Sequence, residues 1–361
     1  MRLGVPSRGS NTQVVIVGAG QAGLAVAYYL RRFELEPGVD FIVYDRGPTT
    51  GGAWQNRWDA LKLGSAHHVS DLPGMAELGI SFDTADRTLP AKDIVAGYYR
   101  RYEEHYGLAV QRPVTVRSVF NRGADLVAEH DRGETVTRLL VNATGTWGAP
   151  FIPYYPGANT FSGRHVHTSG YLAAEEFEGQ SVIVVGGGTS AVGFLLELEG
   201  VASDLTWASR RPIEFKDESE LTIEGGVAAV AAQDSAARAG AALPSIVSGT
   251  GIPRTRRIAA GIERGLLVAR PMFTRIEPDG VRWPDGSFTR ADAIIWATGF
   301  RPELRHLAPL RLREKSGGLT VEQGAAWLDP RVFLAGYGPT ASTIGANRAG
   351  RVIARQIMAR L

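Results

Sequence analysis

The chain contains the same short pattern twice: a run of β-branched residues, a glycine-rich turn and a helix-forming segment. In the first copy Val14–Val17 precedes Gly18–Gly23, and in the second Val182–Val185 precedes Gly186–Ala191. An unbroken β-branched run is typical of a strand buried on both faces, as in a parallel sheet. Because each strand leads through a tight turn into a helix, the pattern predicts two βα units that open nucleotide-binding folds.

The glycines of each turn have separate roles in binding a diphosphate. The first permits the tight turn, the second lets the backbone approach the pyrophosphate, and the third lets helix and strand pack closely. The third position is Gly23 in the first copy and Ala191 in the second. Free N–H groups and the helix dipole at the start of each helix attract the phosphates. We therefore expect two bound dinucleotides; the alternative is a pair of glycine turns that bind none.

The ends of the strands that follow distinguish the two copies. The first strand, Asp40–Asp45, ends on a carboxylate that accepts hydrogen bonds from both ribose hydroxyls and repels a 2′-phosphate. The second, Asp204–Ser209, leads into Arg210 and Arg211, whose guanidinium groups suit a 2′-phosphate. The first copy is thus expected to bind a dinucleotide with free ribose hydroxyls, such as FAD, and the second NADPH in preference to NADH. The alternative for the two arginines is a solvated turn.

Composition excludes several classes of protein. None of the 361 residues is cysteine, which excludes disulfides, thiolate metal sites, iron–sulfur clusters and a redox-active dithiol. A net charge of +2, with no basic run among aromatics, argues against a nucleic-acid partner. No apolar stretch approaches the roughly 18 residues of a membrane span, and no targeting signal is evident, so a cytoplasmic protein without membrane contact is expected. No metal site is indicated by ligand spacing, and a homodimer is left open.

The chain also resembles the flavin-containing monooxygenases and their Baeyer–Villiger and auxin-synthesising relatives. Gly51–Trp54 is similar to the GGxW segment that follows the ribose-binding acid, and Phe161–Tyr171 to the FxGxxxHxxx(W/Y/P) identifying motif. Asn142–Gly145 and Trp296–Phe300 resemble the ATG-type strand ends where the chain crosses between the nucleotide domains. Leu61–Pro73 resembles the stretch that lines the reactive face of the flavin.

The resemblance implies an α/β fold with two Rossmann-like dinucleotide-binding domains of the three-layer ββα type, the NAD(P)H-binding domain being inserted in the FAD-binding domain. The expected bounds are 1–12 for a flexible N-terminal tail, 13–151 and 298–361 for the discontinuous FAD-binding domain, and 161–296 for the NAD(P)H-binding domain. Period-two stretches within 114–141 and a turn signal in 281–286 predict β-hairpins. The Ala-rich run 227–242 is a candidate helix.

The activity implied by the resemblance is that of an NADPH-dependent monooxygenase. Nicotinamide hydride reduces the flavin, and a C4a-(hydro)peroxyflavin transfers one oxygen atom of O2 to a small organic thioether, amine or ketone. The alternatives are a flavin reductase or oxidase without a stable peroxyflavin, and a non-catalytic flavin-binding redox sensor. Tyr337 stands where an Asp commonly bonds the ribityl chain, and the Asn found near the oxygen adduct of some relatives has no clear equivalent.

The candidate site residues fall into three groups. His67, His68 and Ser70 are candidates for catalysis at the flavin face, with loop hydrogen bonding as the alternative for the histidines. The family-motif candidates are Phe161, Gly163, His167 and Tyr171, where His167 either contacts the nucleotide or makes a structural hydrogen bond. The cofactor-binding candidates are Gly18, Gly20, Gln21, Ala22, Gly23, Asp45, Arg46, Gly52, Trp54, Leu63, Val116, Ala143, Thr144, Gly145, Gly186, Gly188, Thr189, Ser190, Ala191, Ser209, Arg210, Arg211, Ala297, Thr298, Gly299 and Gly336.

Overall fold

The structure, a computed structural model, describes residues 10–66, 68–217, 223–243, 251–341 and 343–361. The chain divides into two compact units. The first unit comprises 1–148, 233–243 and 302–361, and the second comprises 149–232 and 244–301.

The described ranges contain helices, strands and short 3₁₀ turns. The helices are α1 (Gln21–Arg32), α2 (Ala91–Tyr106), α3 (Thr189–Leu198), α4 (Ile223–Arg238), α5 (Arg256–Glu263) and α6 (Thr343–Met358). The strands are β1 (Ser10–Val17), β2 (Phe41–Tyr44), β3 (Val116–Arg122), β4 (Asp125–His130), β5 (Gly133–Asn142), β6 (Arg164–His167), β7 (Ser181–Val185), β8 (Asp204–Ala208), β9 (Phe215–Lys216), β10 (Ile252–Pro253), β11 (Ala269–Arg270), β12 (Arg275–Glu277), β13 (Gly280–Arg282), β14 (Phe288–Arg290), β15 (Ala293–Trp296), β16 (Val321–Glu322), β17 (Ala325–Ala326) and β18 (Val332–Leu334).

The sheet of the first unit is parallel at its centre and antiparallel at one end. Its strands run in the order β16-β17-β18-β5-β1-β2, and the hairpin β3-β4 joins it through antiparallel pairing of β4 with β5. β1 pairs in parallel with both β2 and β5, so Val17 lies between Tyr44 and Asn142. The carboxyl ends of these three strands therefore meet at one edge, where an open α/β sheet binds its ligands.

The core of the first unit has a layer on each side of the sheet. Val14 and Ile16 of β1 belong to a hydrophobic cluster with residues of α1, α2 and α6. Val15 and Val17, which point to the opposite face, pack with residues of the β3-β4 hairpin. This alternation places packed layers on both faces of the sheet, in agreement with the three-layer fold that the family resemblance implies.

The second unit has its own parallel sheet and its own core. The strands run in the order β11-β8-β7-β15-β6, all in parallel, and a separate antiparallel sheet is formed by β12-β13-β14. Ile183 and Ile294 of the parallel sheet pack with Val281 and Trp283 in one cluster. α3 packs against β7 and β8. Each unit is therefore an α/β layer structure that contains one of the two glycine turns.

Two of the expected boundaries are corrected by the structure. Residues 10–12 belong to β1 and not to the tail, because Ser10–Thr12 pair with Thr135–Thr137 of β5. Residues 1–9 lie outside the described residues. The segment 233–243 groups with the first unit and not with the inserted one, because Gly240 bonds to Gly318 and the side chain of Ala237 packs in the second cluster of that unit.

The hairpins predicted in 114–141 and 281–286 are confirmed as β3-β4-β5 and β13-β14. The candidate helix 227–242 is present as α4, which begins four residues earlier and ends four residues earlier. Over the described ranges, no helix has both the length and the apolar character that a membrane crossing requires.

Candidate functional site

The turn after β1 depends on glycine at two positions and is open at a third. Gly18 has φ +103°, and a Cβ on it would lie 2.4 Å from the carbonyl oxygen of Ala143. A Cβ on Gly23 would lie 1.9 Å from the carbonyl oxygen of Gly18. At Gly20 a Cβ would meet only the Cα of Gly52, 3.9 Å away. Gly18 and Gly23 are thus required by packing, whereas Gly20 leaves room for a ligand.

The start of α1 offers backbone donors to an anion. Gly20 is the N-cap residue, and no side chain caps the helix. The N–H of Ala19 instead donates to Oδ2 of Asp45 (2.6 Å), and the N–H of Gly47 donates to Oδ1 of the same carboxylate (2.7 Å). Asp45 is only 8% exposed. A carboxylate can accept about four hydrogen bonds, so Asp45 retains capacity for two ribose hydroxyls. These residues fit the adenosine diphosphate part of a dinucleotide.

A hydrogen-bond network surrounds Gln21, the first residue of α1. Its amide nitrogen donates to the carbonyl oxygen of Ser70 (2.8 Å) and to Oδ1 of Asn347 (3.3 Å), and its amide oxygen accepts from the Tyr99 hydroxyl (3.1 Å). Asn347, in α6, also donates to the carbonyl oxygen of Asp71. The network fixes the loop at 70–71 to the starts of two helices. Sequence reasoning missed Asn347 and Tyr99, which carry no motif and lie far from Gln21 along the chain.

Of the three catalytic candidates, the two that the structure describes have different surroundings. Ser70 lies at the start of α1, where its carbonyl oxygen accepts the bond from Gln21. The His68 side chain is 64% exposed, and its Nδ1 lies 4.0 Å from Oδ1 of Asp83. His67 lies outside the described residues. The structure thus brings Ser70 into the network beside the glycine turn, whereas the side chain of His68 is mostly exposed.

Other cofactor candidates of the first unit lie around the same turn. A Cβ on Gly336 would lie 3.2 Å from the Cβ of Ala22, and Gly52 adjoins Gly20 as described above. Thr144 donates to the carbonyl oxygen of Glu303 (2.7 Å), whose carboxylate lies 3.9 Å from Nη1 of Arg46. The remaining candidates are Trp54 and Leu63, both buried, Val116 at the start of β3, and Ala143 and Gly145 after β5.

The Tyr337 side chain is directed into the core of the first unit. It is buried, and its hydroxyl accepts a hydrogen bond from the backbone N–H of Leu319 (3.0 Å). Burial raises the pKa of this phenol. Tyr337 therefore stabilises packing, and its hydroxyl does not substitute for the carboxylate that commonly stands at this position.

The second glycine turn repeats the geometry of the first within the second unit. Gly186 has φ +146°, and a Cβ on it would lie 2.3 Å from the carbonyl oxygen of Ala297. Trp207 donates to the carbonyl oxygen of Gly186 (2.7 Å). Gly188 is the N-cap of α3, again without a side-chain cap, and Thr189 and Ser190 form the first turn of that helix. Its backbone donors are therefore available to a second diphosphate.

Two exposed arginines follow β8. Ser209 is buried, and its hydroxyl donates to the carbonyl oxygen of Arg211 (2.8 Å), which fixes the turn. Arg210 and Arg211 are exposed. Within the described ranges, no carboxylate forms an ion pair with either guanidinium. Ala191, at the third position of the turn, is fully buried, in keeping with close packing of helix and strand.

The family-motif residues are packed by structural contacts within the second unit. His167 bonds the carbonyl oxygen of Gly299 through Nε2 (2.9 Å), and its Nδ1 accepts from the N–H of Ser169 (3.1 Å). Because Nδ1 accepts from Ser169, Nε2 is the donor to Gly299, and burial lowers the pKa of His167. Tyr171 donates to Glu197 (3.1 Å). Of the two roles considered for His167, its hydrogen bonds support the structural one.

The other motif residues also pack against neighbouring backbone and side chains of the second unit. A Cβ on Gly163 would lie 2.4 Å from the carbonyl oxygen of Asp292. The ring of Phe161 packs beside that of His165, with centroids 5.1 Å apart. Thr298 donates to the carbonyl oxygen of Phe151. No group of three or more His, Asp or Glu side chains that could hold a metal ion occurs among the residues described.

The chain is similar to a protein family and to solved structures of known proteins. Residues 15–226 match the pyridine nucleotide-disulphide oxidoreductase family. Among solved structures, the flavin-containing monooxygenase from Stenotrophomonas maltophilia is similar over 97% of this chain and 99% of its own, with 31% identity and a TM-score of 0.80. A double-substituted variant of that protein is equally similar, with a TM-score of 0.81.

Two curated relatives are similar over most of their length. The uncharacterized oxidoreductase CzcO of Bacillus velezensis is 25% identical over 325 residues, which cover 89% of this chain and 90% of that protein. The indole-3-pyruvate monooxygenase YUCCA1 of Oryza sativa subsp. japonica is 29% identical over 323 residues, which cover 80% of this chain and 76% of that protein.

Proposed function

Because the chain belongs to the pyridine nucleotide-disulphide oxidoreductase family, within its flavin-containing monooxygenase-like members, we propose that it transfers one oxygen atom of O2 to a small organic thioether, amine or ketone. The chain is an oxidoreductase that uses FAD and NADPH. The observation that most strongly supports this proposal is the similarity to a flavin-containing monooxygenase over almost the whole of both chains. The absence of cysteine agrees with it, because electrons cannot pass through a dithiol of this chain.

We assign FAD to the first unit. The donors at the start of α1 bind its diphosphate, the open position at Gly20 lets the backbone approach, and Asp45 binds the ribose hydroxyls. When bound, FAD supplies the hydride acceptor and the activation of O2. The network of Gln21, Ser70 and Asn347 positions the loop at 70–71, which the family resemblance places at the flavin face.

We assign NADPH to the second unit. The donors at the start of α3 bind its diphosphate, and Gly186 gives the tight turn that brings them there. Arg210 and Arg211, which have no carboxylate partner within the described ranges, are free to bind the 2′-phosphate. Ser209 holds the backbone of this turn through its bond to Arg211.

The test is stopped-flow spectroscopy of the two half-reactions. NADPH is expected to bleach the flavin absorbance without oxygen, and mixing the reduced protein with O2 is expected to give a transient spectrum unlike that of oxidised or reduced flavin. A thioether, amine or ketone should then shorten the lifetime of that transient and yield one product per NADPH. Direct return to the oxidised spectrum with stoichiometric hydrogen peroxide would contradict the proposal and indicate an oxidase. As a control, Arg210→Ala should impair reduction by NADPH and leave reoxidation unchanged.

A further inference from the structure

Arg57 lies between two tryptophan rings in the first unit. It follows the 3₁₀ turn Gly52–Asn56, which places it three residues after Trp54. Its guanidinium carbon lies 5.6 Å from the ring centroid of Trp54 and 4.4 Å from that of Trp147. Indole faces attract a cation, so the two rings hold the guanidinium in place without neutralising its charge.

The charge of Arg57 has no carboxylate partner within the residues described. Its Nε is buried and makes no hydrogen bond, and no ion pair to it occurs within those ranges. Burial lowers the pKa of Arg57 to about 10, which leaves it charged at neutral pH. Arg112, another largely buried arginine of the same unit, forms two hydrogen bonds of 2.6 and 2.7 Å with Glu103. A largely buried cation without such a partner is costly, and an anionic ligand would offset the cost.

The position of Arg57 connects it to the proposed flavin site. The 3₁₀ turn that precedes it begins at Gly52, which lies against Gly20 of the first glycine turn. Trp147 follows β5 by five residues, beyond Thr144 and Gly145. The two rings therefore come from segments that leave the carboxyl edge of the sheet, the edge at which the glycine turn also lies.

We propose that Arg57 is an anion-binding subsite that takes the carboxylate of the organic substrate, so that the oxygen acceptor is an organic acid. This inference rests on the proposed function, which supplies the reaction. A guanidinium offers a fork of donors that matches a carboxylate, and the partly exposed indole of Trp147 lies beside it. The diphosphate of FAD has its own donors at the start of α1, which leaves the Arg57 charge for a different anion.

The test is calorimetric titration of the FAD-loaded protein with thioether acids, such as 3-(methylthio)propanoate and (phenylthio)acetate, and with their neutral amides. The wild-type protein is expected to bind each acid roughly ten- to a hundredfold more tightly than its amide. Arg57→Gln is expected to abolish this preference and to leave the affinity for the amide unchanged. Arg57→Lys keeps the charge but not the fork of donors, so it should retain part of the preference for the acid. This variant replaces Arg57→Gln in the test if the Gln variant fails to fold.

Arg122→Gln is the matched control. Arg122 also lies over an aromatic ring, that of Phe120 at 5.6 Å, but it is paired with Glu134 at 2.7 Å. Its replacement is expected to leave the acid-to-amide preference intact. Equal affinity of the wild-type protein for acids and amides would overturn the proposal, as would an equal loss of both in Arg57→Gln.

Two further outcomes separate this proposal from neighbouring ones. If Arg57→Gln weakens FAD or NADPH binding and leaves the acid preference unchanged, the anion is a cofactor phosphate and the substrate assignment is overturned. The titration requires no turnover, so a preference for acids without oxygen transfer would contradict the proposed monooxygenase function while supporting the subsite. Oxygen transfer without a preference for acids would support the monooxygenase function and overturn the substrate subsite.

Discussion

At the scale of single residues, the choice between the two nicotinamide cofactors is assigned to the turn after β8. Arg210 and Arg211 are exposed there, and the buried hydroxyl of Ser209 fixes the backbone between them. A charge-assisted contact contributes about 1.5–3 kcal/mol. An arginine of this turn that binds the 2′-phosphate should therefore affect NADPH and leave NADH almost unaffected.

Arg210→Ala is expected to raise KM for NADPH by roughly ten- to a hundredfold and to change KM for NADH little. Flavin reduction rates measured over a range of each nucleotide give the two values. Arg264→Ala is the control, since Arg264 is an exposed arginine of the same unit that is paired with Glu199 (2.7 Å). Equal changes in KM for both nucleotides would show that Arg210 does not bind the 2′-phosphate.

The glycines of the first turn give a second prediction. Gly20→Ala should fold with nearly unchanged thermal stability, because its Cβ would meet no atom closer than 3.9 Å, but it should lose FAD affinity because the methyl group occupies the path of the diphosphate. Gly23→Ala should fail to fold, because its Cβ would lie 1.9 Å from a carbonyl oxygen. Melting temperature and flavin content of the purified variants check both. A Gly20→Ala variant with full flavin content would contradict the assigned role.

His306 predicts how stability depends on pH. It is 6% exposed, and burial, followed by the charge of Arg46, lowers its pKa from 6.5 to about 4. Because the folded pKa is lower than the unfolded one, its contribution is present above pH 6.5 and is lost as the pH falls towards 4. The wild-type protein should lose about 2 kcal/mol through this residue between pH 7 and pH 5.

The measurement is urea unfolding at pH 7 and pH 5 of the wild-type protein and of His306→Phe. Nε2 of His306 is buried without a hydrogen bond, so an aromatic replacement removes the titration without breaking a bond at that atom. The variant should show a smaller loss of stability at pH 5. His105→Gln, which alters an exposed histidine, is the control. If His306→Phe retains the full loss, other groups cause the pH dependence.

At the scale of secondary structure, a buried ion pair joins α2 to the segment that follows it. Arg112 and Glu103 are 12% and 10% exposed and form two hydrogen bonds of 2.6 and 2.7 Å. Nε of Arg112 also lies 3.9 Å from Asp45, the proposed ribose ligand. Removing the Glu103 carboxylate leaves the Arg112 charge with only the longer contact to Asp45, which is strongly destabilising.

Glu103→Gln is therefore expected to lower the free energy of unfolding by about 3–5 kcal/mol. Glu134→Gln breaks the Arg122–Glu134 pair, whose side chains are 51% and 41% exposed, and should cost less than about 1 kcal/mol. Chemical denaturation of both variants gives the comparison. Similar losses would show that the buried pair has no special role.

The elements that could be predicted from the sequence are those determined by residues close together along the chain. The glycine turns at 18–23 and 186–191 carry their own backbone requirements, and period-two alternation predicts the hairpins between 114 and 141. The Arg57 subsite and the network at Gln21 could not be predicted. Arg57 meets Trp147, and Gln21 meets Asn347, only because segments distant in sequence are brought together by the sheet.

At the scale of the whole molecule, the division of the chain could be predicted only in outline. Two glycine turns predict two nucleotide-binding units, and two compact units are found. The segment 233–243 was expected in the inserted part, but it packs with residues 314–320 of the first unit. Its Ala-rich composition predicts a helix but does not specify which unit that helix joins.

The most direct test of the proposed function is a single reaction under ¹⁸O2 with NADPH and a thioether acid, followed by mass spectrometry of the product. The proposal predicts a sulfoxide that contains one ¹⁸O atom and forms in a one-to-one ratio to NADPH consumed. Recovery of the electrons of NADPH as hydrogen peroxide, with no labelled product from thioethers, amines or ketones, would contradict it.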